Sequence, residues 1–190
     1  MTRIPALTLI GLLLLAGCAG QSGVSVSRID IRPLYGPGLV QWVGAGRDLP
    51  VQVTGNPTQL SQQDWSRTVS EALNASGWLS QTHMTSEPDG SQRGNFHVAV
   101  MFNAPVDIDD TSLCLGAADP ETLVPVEGRS RIAMAFCNEG KPVSSAQAQT
   151  AAILSGDAPQ MRAAMTQLLR QVFPPRNPNF PDRADFPLFP

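Results

Sequence analysis

Apolar positions along the chain change their period several times, and each change marks an element. Leu49, Val51 and Val53 alternate with other residues, a period of two that predicts a strand over 49–54, and Gly55-Asn56-Pro57 forces a turn after it. Trp65, Val69, Ala72 and Leu73 then recur at helical spacing. Ser61 stands where an N-cap belongs, Asp64 completes a capping box, and Gly77 supplies a left-handed stop, so a helix is predicted from Gln62 to Ser76. Phe96 to Phe102 alternates again, with Phe96, Val98, Val100 and Phe102 on a bulky side and His97, Ala99 and Met101 on a slimmer one. Arg131 to Cys137 repeats this: Ile132, Met134 and Phe136 against Ala133, Ala135 and Cys137. Val143 to Ile153 reads as a weaker strand. Met161, Met165, Leu168, Leu169 and Val172 form the stripe of a second helix, capped by Asp157 with Gln160 and ended by Pro174-Pro175. Two further strands are expected at Arg28 to Arg32 and Leu39 to Val43, on either side of Pro33 and Gly36-Pro37-Gly38.

The order strand, helix, strands, helix predicts an α+β domain over residues 28–173, with two helices packed on one face of a mostly antiparallel sheet. The bulky rows belong under the helices. The slimmer face, lined by Ala99, Met101, Ala133 and Ala135, has no helix assigned to cover it. Residues 174–190 hold six prolines with Phe180, Phe186 and Phe189 between them, which predicts an extended, polyproline-like tail. Three phenylalanines want cover, so Asn177 to Pro190 is expected to lie across the slimmer face or to capture a partner.

At the other end, an apolar run from Ile4 to Ala16 follows Arg3, too short to cross a bilayer and shaped like a secretory signal. Leu15-Ala16-Gly17-Cys18 resembles the lipobox of bacterial lipoproteins. That resemblance implies removal of residues 1–17, lipidation of Cys18 by acyl chains such as palmitate, and a small, polar tether over 18–27. With Ala19 and Gly20 after the cysteine, it further implies sorting to the outer membrane, facing the periplasm.

Composition narrows the function. The formal net charge is −3 and lysine occurs once, at Lys141, so no basic stripe exists for a phosphate backbone and nucleic-acid binding is excluded. Cys114 and Cys137 form an even pair, expected as a disulfide in an oxidising compartment. A metal or redox site finds no CxxC or HxxxH spacing, and no metal or cofactor is expected. His83 and His97 read as structural. A serine hydrolase lacks GxSxG; Asp107-Ile108-Asp109-Asp110 departs from a calcium loop and reads as a solvated acidic loop; Gly44-Ala45-Gly46 reads as a turn. Of the three tryptophans, Trp65 belongs to the first helix and Trp78 to its C-terminal contact, which leaves Trp42 as a candidate ligand contact.

Gly55-Asn56-Pro57, Phe102-Asn103, Cys114, Phe136-Cys137 and Phe173-Pro174-Pro175-Arg176-Asn177-Pro178 together resemble a group of small Gram-negative envelope lipoproteins that brings no assigned activity. The expected function is a non-enzymatic, outer-membrane-anchored periplasmic lipoprotein, an accessory or scaffold subunit for another envelope protein. The contact residues would include Trp42, Phe180, Phe186 and Phe189. A small-ligand or cell-wall-glycan binding module is the alternative, and a hydrolase with unrecognised residues comes third.

Overall fold

The computed structural model describes residues 23–118, 123 and 128–180. The lipobox, Cys18, Phe186 and Phe189 lie outside them. Six strands form one mixed sheet in the order β1-β6-β5-β4-β2-β3. The strands are β1 (Ser25–Ile31), β2 (Asp48–Thr54), β3 (His83–Thr85), β4 (Phe96–Phe102), β5 (Arg129–Asn138) and β6 (Lys141–Ala151). Four helices join them: α1 (Pro37–Gly44), α2 (Gln62–Ala75), α3 (Asp110–Leu115) and α4 (Pro159–Val172). The chain is thus α+β, and three of the five strand pairings are antiparallel.

The two long helices cover one face. α4 lies over β6, β5 and β1, and α2 over β2 and β3. Between helices and sheet sit Val98, Val100, Phe102, Ile132, Met134 and Phe136 from the strands, and Trp65, Leu73, Met165 and Leu168 from the helices. Trp65, Phe102 and Phe136 are wholly buried. The strand register explains the sorting. Val98 stands opposite Phe136, and Phe102 opposite Ile132, so the large residues face the helices together.

α2 begins as the sequence predicts: the Ser61 hydroxyl accepts from the Asp64 N–H at 3.1 Å and donates to the Asp64 carboxylate at 2.6 Å. It also carries the chain back so that β3 can run parallel to β2. Gly55 ends β2 with φ 78°, and a Cβ there would stand 2.6 Å from the Phe102 carbonyl oxygen, so only glycine fits the turn. The three-residue edge strand β3 is closed off by a side chain. Asn74 of α2 donates to the Met84 carbonyl at 2.8 Å and accepts the Met84 N–H at 2.9 Å, as a further strand would.

Several expectations are corrected. Leu39 to Val43 is helical: Pro37 presets the first turn, and Val40, Val43 and Gly44 fall at helical spacing and bury one side. β1 starts at Ser25, inside the stretch read as tether, and is bulged at Arg28, whose φ is 51°. Asp157 does not cap α4. Its N-cap is Ala158 with Pro159 behind it, and Gln160 reaches instead to the Ala152 carbonyl. β6 is a full eleven-residue strand.

Candidate functional site

The second face of the sheet differs from the first in its side chains. Here Cys137 stands opposite His97, Ala135 opposite Ala99 and Ala133 opposite Met101. This row is buried. Ala104, Leu113 and Cys114 pack on it, with Ile108 and Leu123 at the margin. The covering segment leaves β4 at Asn103, a residue held at φ 54° with a buried, unpartnered Oδ1, and runs through α3.

α3 is short and is defined at both ends. Asp109 accepts from the Thr111 and Ser112 N–H groups at 3.0 and 2.9 Å. The Ser112 hydroxyl also donates to its carboxylate, and that bond chiefly holds the Asp109 pKa below the ordinary carboxylate value. Gly116 closes the helix with φ 63°, so close to β2 that a Cβ would meet Gln52 Nε2 at 2.5 Å. The stretch read as a solvated acidic loop is therefore a helix cap. Asp110, next to it, accepts from the Ser145 hydroxyl of β6 at 2.9 Å. Three fasteners tie α3 to the sheet: that hydrogen bond, the His97 Nε2–H bond to the Cys114 carbonyl at 3.0 Å, and the Cys114–Cys137 disulfide with its Cα atoms 5.7 Å apart.

The second histidine is a fastener of another kind. His83 Nδ1 donates to Asp48 Oδ1 at 2.7 Å, from β3 to β2. The other Asp48 oxygen accepts from the Asp89 N–H at 2.9 Å, while the Asp48 N–H donates to the Ser91 hydroxyl at 3.0 Å. This network pins the loop between β3 and β4 to the start of β2. Asp89 in turn accepts from Ser91, and its pKa is lowered mainly by that side chain.

The tryptophans divide as well. Trp65 is core; its indole N–H donates to the Gly55 carbonyl at 3.0 Å and its ring meets Phe102 edge-on. Trp78, beyond the C-terminus of α2, donates to the Phe173 carbonyl at 2.9 Å, with the Arg170 guanidinium 5.6 Å above its ring. Trp42 stands edge-on to Phe96, with Arg93 4.6 Å over its face. Both remain partly exposed. The described start of the tail packs near this end. Tyr35 donates to the Pro174 carbonyl at 2.7 Å, Asn177 donates to the Arg32 and Tyr35 carbonyls, and Asn179 to the Ile31 carbonyl. The Phe180 N–H donates to the Asn177 carbonyl at 3.2 Å. On the helix side, an open groove of about 710 Å³ runs between α2 and the β6–α4 connection, with Leu60, Ala72, Leu154 and Met161 in its lining.

Among the described residues, no three His, Cys, Asp or Glu side chains gather in a way that could hold a metal ion. No helix among them is long and apolar enough to cross a membrane.

No protein-family model and no curated protein matches the chain. A distant likeness exists to a solved structure. The PelC dodecamer from Paraburkholderia phytofirmans is 12% identical, over 81% of this chain and 97% of that one, with a TM-score of 0.38. A point variant of the same dodecamer matches at 11% identity with the same coverage and TM-score. At that distance the likeness supports nothing about activity or assembly.

The sequence brought Cys114 and Cys137 together as a pair, placed Trp65 in the core and singled out Trp42, but α3 and the arginines over Trp42 and Trp78 were missed. α3 had a readable signal in Asp109, with Gly116 seven residues on. The arginine contacts had none, because Arg93 and Arg170 lie far along the chain from Trp42 and Trp78.

Proposed function

We propose that this chain is an envelope lipoprotein, tethered through Cys18 to the periplasmic face of the outer membrane, whose domain is a non-enzymatic accessory or scaffold subunit for another envelope protein. The observation that carries this reading is how the chemically capable side chains are used. His83 and Asp48 hold a loop to the sheet, His97 holds α3 through the Cys114 carbonyl, and Asp109 caps that helix. Side chains held in this way work as fasteners, and the surface left between them suits contact better than reaction. The tether reading fits the topology: only six residues lie between Cys18 and the first strand residue Ser25, a reach of about 25 Å when extended, which would keep the domain close to the bilayer.

The experiment is crosslinking in native envelopes, with Cys18→Ser as the anchoring control. Release of the Cys18→Ser protein from salt-washed membranes and a discrete heteromeric adduct of the wild-type chain would support the reading. Retention of the variant would overturn the anchor, and monomer or self-adducts alone would overturn the accessory role.

A further inference from the structure

We propose that the end of the domain carrying Leu60, Val106 and Leu154 docks onto the phospholipid surface to which Cys18 would tether it. This rests on the tether reading above and goes further, because it gives the domain an orientation. Strand directions place the surface. β6 runs with β4 and β2 and against β1 and β5, so β1 starts at the same end of the sheet where the segments following β2, β4 and β6 emerge. Leu60 lies in the first of those segments, Val106 in the second and Leu154 in the third. They are 42%, 60% and 72% exposed.

Only six residues lie between Cys18 and Ser25, so a lipid on Cys18 would hold this end within about 25 Å of the bilayer. The opposite end, where Asn138 and Lys141 close the β5–β6 turn, stands an eleven-residue strand further off, about 35 Å. The tether therefore selects which exposed apolar side chains meet lipid.

The segments that carry them are fixed. Leu60 and Leu154 line one groove between α2 and the β6–α4 connection, and a Cβ on Gly156 would come within 2.8 Å of Thr68 Cγ2 and 3.5 Å of Leu60 Cδ1, so the connection lies tight against α2. On the other side of the sheet end, the Arg28 guanidinium donates to the Val106 carbonyl, which ties that segment to the strand leading to the tether.

The charges around this end point to an apolar contact rather than a headgroup-specific one. Glu71, Asp157 and Arg162 share the groove, the chain has a formal net charge of −3, and no basic cluster is there to draw anionic lipid. Three aliphatic side chains bind a bilayer weakly when the domain is free. On a tether of this length the local concentration of membrane is in the millimolar range or above, where weak contacts suffice. A second copy anchored in the same way would turn its own apolar end to the lipid as well, which favours the bilayer over self-association as the occupant.

The test uses the full lipidated chain in vesicles of phosphatidylethanolamine and phosphatidylglycerol brominated along their acyl chains, which quench a tryptophan that touches them. Leu154→Trp should lose several-fold more fluorescence than the wild-type tryptophans do. Val106→Trp should behave alike and stays decisive if Leu154→Trp fails to fold. Leu34→Trp, beyond the far end of β1, should match the wild type. Quenching at the wild-type level in both Leu154→Trp and Val106→Trp, or equal quenching in Leu34→Trp, would overturn the docking and leave the tether standing; crosslinked dimers in such a sample would give this end to a second copy. A chain without lipid on Cys18 would overturn the tether and the docking with it.

Discussion

The two faces of the sheet are buried by different means. The helix face holds Phe102, Ile132, Phe136 and Val98 under Trp65, Leu168 and their neighbours, and burial of large apolar side chains is enough to hold it. The opposite face offers mostly alanines, whose burial gives little per residue, and it is closed by a six-residue helix too short to be stable alone. That helix is kept in place by a disulfide, a histidine-to-carbonyl bond and the Ser145 hydroxyl bond to Asp110, and its first turn is held by the Asp109 cap. One face is glued over its area and the other is fastened at points. The second should therefore loosen locally while the first fails only with the whole fold.

Phe136→Ala should have the largest effect, because it opens a cavity in the glued face where Phe96 and Phe173 also meet. We expect a loss of about 3–5 kcal/mol, read as a global shift of the denaturation midpoint. Removing the disulfide with Cys114→Ala and Cys137→Ala should cost about 3 kcal/mol for a sequence separation of 23 residues. Its mark is local: hydrogen exchange should rise first over 104–118 and leave α2 and α4 protected. Equal loosening of both faces would break the contrast. Overpacking the small-residue row with Ala135→Leu should cost about 1–3 kcal/mol, because α3 sits too close to accept the extra volume.

The smallest effect is expected at the cap. Asp109→Ala removes two backbone hydrogen bonds at α3 and should lower the melting temperature only slightly. The same site predicts a pH dependence. The Asp109 pKa is lowered in the folded protein, mainly by the Ser112 hydroxyl, so its contribution is present above the unfolded-state value and is lost as pH falls through the folded one. Asp64, lowered chiefly by Ser61, behaves alike. Acid titration of thermal stability should show a smaller loss in Asp109→Ala than in the wild type.

The glued face was legible in the sequence, because period and size together sort Phe96, Val98, Ile132 and Phe136 from Ala99 and Ala135. Capping chemistry located the start of α2 to the residue. The fastened face was legible only at its staple, where Cys137 alternates onto the small-residue row and pairs with Cys114; α3 itself has too few residues for a period and shows itself only through Asp109 and Gly116. β3 was equally hidden: three residues carry no alternation, and its outer edge is satisfied by a side chain, Asn74 of the preceding helix. Leu39 to Val43 misled because a short apolar run serves strand and helix alike, and Pro37 decided it. The candidate contact at Trp42 was visible as a tryptophan left over, but Arg93 on its face is a tertiary fact.

The most direct test of the proposed lipid tether, and of the Cys114–Cys137 staple beside it, is the intact mass of the mature protein extracted from membranes without reductant. The account predicts an N-terminus at Cys18 bearing acyl chains, and a mass two hydrogens lighter than the reduced form, from the Cys114–Cys137 bond. An unlipidated chain beginning elsewhere, or one with two free thiols, would contradict it.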